Sequence, residues 1–73
     1  MITIYTRPNC QACRLTRGPL DREGITYSVV NLDEHPDVAE QLREAGHQAL
    51  PVVVTETHTW AGFQPDKIRQ LTR

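Results

Sequence analysis

Apolar and polar residues alternate through Ile2-Thr3-Ile4-Tyr5-Thr6, the period of a strand with one buried face, which predicts a first strand here. Arg7-Pro8-Asn9 breaks the pattern with two turn-favouring residues. A helix is then expected at or just after Cys10, ending near Gly24, with Leu15 and Leu20 on its buried side. Gly18-Pro19 interrupts it: proline removes a backbone donor and crowds the preceding turn, so a kink or early distortion is expected. Ile25 to Leu32, with Tyr27, Val29, Val30 and Leu32, reads as a second strand. Pro36 suits the first position of a second helix, where its missing N–H costs nothing. Val38, Leu42 and Ala45 follow at i, i+4 and i+7 as an apolar stripe, and Gly46 suits the residue just past the end. Val52-Val53-Val54 does not alternate, which marks a third strand buried on both faces. His58-Thr59-Trp60 reads as a short fourth strand, paired to the third across Thr55-Glu56-Thr57, a turn without the Gly or Asn that tight hairpins favour. Pro65 opens the last helix, with Phe63 and Ile68 spaced as a hydrophobic staple and Asp66 in the positive first turn. The order βαβαββα is that of an α/β domain, with a small four-stranded mixed sheet and three helices on its two faces.

Length then narrows the picture. Seventy-three residues make one small domain, too short for a dinucleotide-binding enzyme with its own substrate domain. An apolar fraction of 38% with 23% charged residues is ordinary for a soluble globular chain. The longest apolar runs are of the order of Val52 to Val54, so no membrane span is expected. Met1-Ile2-Thr3-Ile4-Tyr5 has neither a basic start nor a small-residue cleavage site, so no secretory signal is expected and a cytoplasmic location follows. Eight basic and nine acidic residues give a net charge of −1, which offers little attraction to nucleic acid or to anionic lipid.

The candidate chemistry lies in Cys10-Gln11-Ala12-Cys13. Two cysteines are too few for a disulfide-stapled scaffold, and a bridge closing so short a loop removes little entropy from the unfolded chain. Reactivity explains the pair better than architecture does. It falls between the first strand and the first helix, where backbone N–H groups and the helix dipole stabilise a thiolate at Cys10 and lower its pKa. Cys13, one turn deeper, is placed to attack a mixed disulfide formed at Cys10. Arg7 and Arg14 add positive potential. A zinc site would need two further ligands, and His35, His47 and His58 lie in separate loops or strand ends with no metal-binding spacing, so no metal is expected. Leu50-Pro51 heads the third strand; from spacing alone a trans peptide is the default there.

Taken together, Tyr5-Thr6-x-x-x-Cys10-x-x-Cys13, Leu50-Pro51-Val52-Val53 and Trp60-x-Gly62-Phe63-x-Pro65-Asp66 resemble the NrdH-redoxins, the glutaredoxin-like branch of the thioredoxin fold. The resemblance covers essentially the whole chain, and its most specific part is the segment from Trp60 to Asp66. It implies a thioredoxin/glutaredoxin-like fold and a dithiol electron donor for the large subunit of class Ib ribonucleotide reductase. It also implies recharging from NADPH through thioredoxin reductase, with no bound cofactor beyond the redox-active Cys10–Cys13 disulfide. Cys10 would be the attacking thiolate and Cys13 the resolving thiol. Pro51 would be a cis-proline that faces them and presents the backbone of Leu50 to a bound peptide. Trp60 and Phe63 have two readings: core aromatics of a small domain, or, with Ala61 and Gly62, an apolar docking surface that fills the groove used by glutathione in glutaredoxins. Those proteins usually carry Gly-Gly-x-x-Asp where this chain has Trp60-Ala61-Gly62-Phe63. A monomer is expected.

Three departures from the family pattern bear on the partner more than on the reaction. Cys-x-Gln-Cys becomes Cys10-Gln11-Ala12-Cys13, Trp-Ser-Gly-Phe-Arg-Pro-Asp becomes Trp60-Ala61-Gly62-Phe63-Gln64-Pro65-Asp66, and Gly18-Pro19 breaks the middle of the first helix. In the family the arginine ties the last helix to its neighbour, a link that Gln64 would loosen. The competing readings are a glutathione-dependent glutaredoxin and, in another class, a metal-binding or interaction module built on the cysteine pair.

Overall fold

The computed structural model describes residues 1–72. Its elements come in the expected order: β1 (Thr3–Thr6), α1 (Gln11–Arg22), β2 (Ser28–Asn31), a 3₁₀ turn (Leu32–Glu34), α2 (Pro36–Glu44), β3 (Val52–Val54), β4 (Thr59–Ala61) and α3 (Pro65–Leu71). The strands lie in the order β2-β1-β3-β4. β2 runs parallel to β1, as its return through the α1 crossover requires. β3 is antiparallel to β1, and β4 to β3, which makes the sheet mixed.

One face of this sheet carries the core. Ile4 lies opposite Val53, and Val53 opposite Trp60, so the three side chains form a row across neighbouring strands. Leu20 of α1 and Ile68 of α3 close over that row, and the two helices touch each other. Each of these aliphatic side chains contributes about 1.5–3 kcal/mol on burial. Val52 points the other way, toward Leu32, Ala39 and Leu42 of the α2 side, and is also buried. Adjacent buried valines on opposite faces explain why β3 shows no alternation.

Leu15 does not join the core; it is 48% exposed. The buried residues of α1 are Cys13, Thr16 and Leu20, an i, i+3, i+7 stripe, whereas five residues separate Leu15 from Leu20 and turn it about 140° away. The helix also runs unbroken through Gly18-Pro19. The carbonyl that loses its donor to Pro19 is that of Leu15, on the solvent side, where water can take the donor's place. In α2, Pro36 is at the start and Gly46 follows the end with φ +92°, but Ala45 is exposed and no residue of the helix is fully buried. The second strand is shorter than its apolar pattern. Ile25 and Tyr27 precede the ladder, yet still pack against the core from outside it.

The hairpin between β3 and β4 needs no glycine because Thr55 builds the turn. Its hydroxyl accepts from the N–H groups of Thr57 (3.3 Å) and His58 (2.9 Å) and donates to the His58 carbonyl (3.1 Å), while its own N–H reaches that carbonyl at 2.8 Å. Ahead of α3, Phe63 stays 42% exposed while Ile68 is buried, so the staple expected between them does not draw Phe63 into the core.

Two predictions follow from this packing. Leu20→Ala should lose about 2–5 kcal/mol of stability, whereas Leu15→Ala should stay within about 0.5 kcal/mol of wild type, both read from urea unfolding midpoints. Equal losses would refute the assigned helix face. The second concerns Tyr27, whose hydroxyl donates to Asp21 Oδ1 at 2.6 Å. Burial, and then the hydrogen bond and negative charge of Asp21, raise the phenol above its ordinary 10.0, against a smaller opposing effect of Arg17. The fold therefore favours the neutral phenol. Its contribution holds below pH 10 and is lost as pH rises through the folded-state value. A 295 nm titration of wild type minus Tyr27→Phe should give a midpoint above 10.0; an ordinary midpoint would contradict the contact.

Candidate active site

Strand register brings the two separated motifs together. With Tyr5 opposite Val52 in an antiparallel pair, the end of β1 and the beginning of β3 share one edge of the sheet. The chain beyond β1 leads through Arg7-Pro8-Asn9 to Cys10, and the residue just before β3 is Pro51. Asn9 has φ +63°, a left-handed conformation that asparagine accepts more readily than most residues, and it turns the chain into α1.

Cys10 is the N-cap of α1, with extended backbone angles. Its Sγ accepts a hydrogen bond from the Cys13 N–H at 3.2 Å, a place usually taken by a serine, threonine or aspartate oxygen. The two sulfurs are joined in a disulfide with the Cα atoms 5.2 Å apart. The sulfurs differ in access: Cys10 is partly exposed, whereas Cys13 is 1% exposed and continues the buried stripe of α1. Thr16, on the same stripe, satisfies its hydroxyl by donating to the Ala12 carbonyl at 2.8 Å.

Leu50-Pro51 is a cis peptide, and Pro51 is buried. Among the described residues, no turn or loop hydrogen bond engages the Leu50 backbone. The Pro51 carbonyl instead accepts from the Gly62 N–H at 2.8 Å, which ties the segment after β4 to this loop. Gly62 has φ +82°, and Gln64 secures the same turn by donating from Nε2 to the Ala61 carbonyl at 2.9 Å. This bond lies within the turn itself and does not reach a neighbouring helix.

The four residues from Trp60 to Phe63 separate. Trp60 is 5% exposed within the core, with the Lys67 ammonium 6.0 Å from its ring centroid, and its indole N–H has no partner among the described residues. Ala61 and Gly62 are partly buried, and Phe63 is exposed. Two open grooves flank the cysteine end. One of about 550 Å³ lies beside Leu50, lined by Arg7, Ala39, Arg43, His47 and Gln48 among others; none of Trp60, Ala61, Gly62 and Phe63 lines it. Its position on the α2 side could not be read from the spacing of Arg43, His47 and Gln48. The other, about 220 Å³, lies on the β2 side of Cys10. Among the described residues no three His, Cys, Asp or Glu side chains gather to hold a metal ion, and no helix is long and apolar enough to cross a membrane.

Comparison with known proteins places this geometry in a family. The glutaredoxin family profile matches residues 2–59. The chain is 44% identical to the glutaredoxin-like protein NrdH of Salmonella typhimurium, over 96% of its own length and 86% of that protein's. The solved structure of NrdH-redoxin from Escherichia coli superposes with a TM-score of 0.91 at 41% identity, covering 96% of this chain and 92% of that one. A glutaredoxin from Archaeoglobus fulgidus superposes with a TM-score of 0.81 at 28% identity, covering 99% and 85% respectively.

The turn at Gly62 yields a paired prediction. A Cβ there would meet only Ala49 Cβ, at an ordinary 3.5 Å, so the cost of Gly62→Ala is conformational, about 1–2 kcal/mol for the left-handed backbone. Gly18→Ala, inside α1 with only the flexible Arg22 guanidinium near at 3.6 Å, should instead gain about 0.5–1 kcal/mol. Thermal unfolding of the two variants should shift in opposite directions.

Proposed function

The chain belongs to the glutaredoxin family, in its NrdH branch, and is a thiol-disulfide oxidoreductase; from this premise we propose that it is a dithiol electron donor whose 73 residues act as one domain. The observation that carries the reading is the unequal access of the two sulfurs at the head of α1. In the reduced protein the Cys10 thiolate, stabilised by the Cys13 N–H and the helix terminus, attacks one sulfur of a client disulfide. One client thiolate leaves and takes a proton from water, and a mixed disulfide remains. Cys13 then loses its proton and attacks Cys10 Sγ. The second client thiol departs, two electrons have passed to the client, and the Cys10–Cys13 disulfide is the product. The open Leu50 backbone is where an extended client segment pairs in strand fashion, with Ala61, Gly62 and Phe63 beside it and Trp60 supporting them from the core.

The client in this proposal is the disulfide of the class Ib ribonucleotide reductase large subunit. The recharging system is thioredoxin reductase with NADPH, working with a monomer in the cytoplasm as an electron-transport protein. The NrdH relatives and the thioredoxin-like activity profile ascribed to NrdH-redoxin from Escherichia coli support this choice, as does the absence of a Gly-Gly-x-x-Asp segment. One observation favours a second reading, a glutathione-dependent glutaredoxin: the open groove beside Leu50, whose arginines Arg7 and Arg43 would have to exchange their pairings with Asp33 and Glu40 for the carboxylates of such a tripeptide.

NADPH consumption during reduction of a protein disulfide separates the two. Turnover with thioredoxin reductase and not with glutathione plus glutathione reductase is expected; the reverse would transfer the chain to the second reading. In the productive system Cys10→Ser should abolish reduction, and Cys13→Ser should accumulate a mixed disulfide visible by mass spectrometry under non-reducing conditions. Wild-type turnover by Cys13→Ser would overturn the two-thiol scheme.

A further inference from the structure

Cys10, Arg14 and Arg17 recur at i, i+4 and i+7, so the helix carries one basic stripe leading away from the reactive sulfur. Together with Arg7 they line the groove of about 220 Å³ on the β2 side, and among the described residues no carboxylate lines it. Three of the chain's eight basic residues are thus gathered in one groove of a protein whose net charge is −1. Arg7 is paired with Asp33 at 3.5 Å, but Arg14 and Arg17 make no ion pair among the described residues. Being three apart on one helix, the two arginines repel each other; Asp21, one turn on from Arg17, lies outside the groove and accepts from Tyr27. The opposite wall is β2, where Val29 stands 45% exposed.

Resting on the dithiol reading above, we infer that this groove receives the client chain on the side of its cysteine away from Leu50, and that this flank is acidic. Seven helical residues from Cys10 to Arg17 span about 10 Å. That equals about three residues of extended chain. The preferred client therefore carries aspartate or glutamate within three positions of the attacked cysteine, where the carboxylates meet Arg14 and Arg17. An apolar residue alternating with them lies against Val29. The chemistry of exchange is unchanged; the groove raises the rate at which acidic clients reach Cys10.

The test uses three disulfide peptides of one core sequence, with aspartate, asparagine or lysine in the three flanking positions. Pre-reduced protein is mixed with each, so that no reductase enters the assay. The aspartate peptide should react about tenfold faster than the lysine peptide at low ionic strength. The ratio should collapse toward unity in about 0.5 M salt, where screening acts over less than 10 Å. In the Arg14→Ala/Arg17→Ala double variant the low-salt ratio should fall at least about threefold. Because each protein is compared with itself, altered sulfur reactivity cancels in the ratio. A wild-type ratio at or below one, or a ratio unchanged in the double variant, would overturn the inference. Failure to reduce any of the three peptides would instead overturn the dithiol reading, and the inference with it.

Discussion

The pairing of β1 with β3 is the contact on which the cysteine edge depends. These strands are far apart in sequence, and their ends lead to Cys10 on one side and descend from Pro51 on the other. A slip of one residue in this ladder would exchange the two faces of β1. Tyr5 would then enter the space of Ile4, which is completely buried opposite Val53, while Ile4 would turn toward α2. The valines of β3 do little to prevent such a slip, because Val52 and Val53 are both buried and nearly equivalent. Register is pinned instead by β1, where Ile4 and Thr6 are buried and Tyr5 is not, and by Trp60, which fixes β4 to the Ile4 face. The packing of a few residues thereby sets the edge of the sheet that carries both the cysteine loop and the proline loop.

The same economy appears in α1. Its buried stripe begins with a cysteine, passes through a threonine that satisfies its own hydroxyl, and ends in the central leucine of the core. Cys13 is therefore held by the packing that holds the helix, while Cys10 sits outside that packing as the residue that starts the helix. One turn of helix gives two identical side chains different surroundings.

Much of this was legible in the residues because the signals were local. Pro36, Pro65 and Gly46 mark helix ends through the backbone angles they require or allow, and the run Val52 to Val54 could be buried only as a central strand. The cysteine pair at a strand-to-helix junction, and the motifs shared with NrdH proteins, were equally plain. What escaped was set by angle and by distant contact. Leu15 is a large apolar residue on the wrong side of its helix, and only the stripe drawn from Cys13 to Leu20 reveals this. The hairpin looked poor for lack of glycine because the hydroxyl of Thr55 does the work that a backbone preference usually does. Trp60 and Phe63 are near neighbours in sequence, but the left-handed turn at Gly62 divides them, one into the core and one to the surface. The groove beside Leu50 is made by α2 and the loop behind it, a juxtaposition that no spacing within the sequence expresses.

Trp60 is the only tryptophan in the chain, and it belongs to a cluster with Ile4, Leu20, Val53 and Ile68 from which Cys10 and Cys13 are absent. Its emission is consequently an intrinsic optical record of the sheet and its two covering helices. The integrity of the fold thus has its own reporter within the unlabelled molecule.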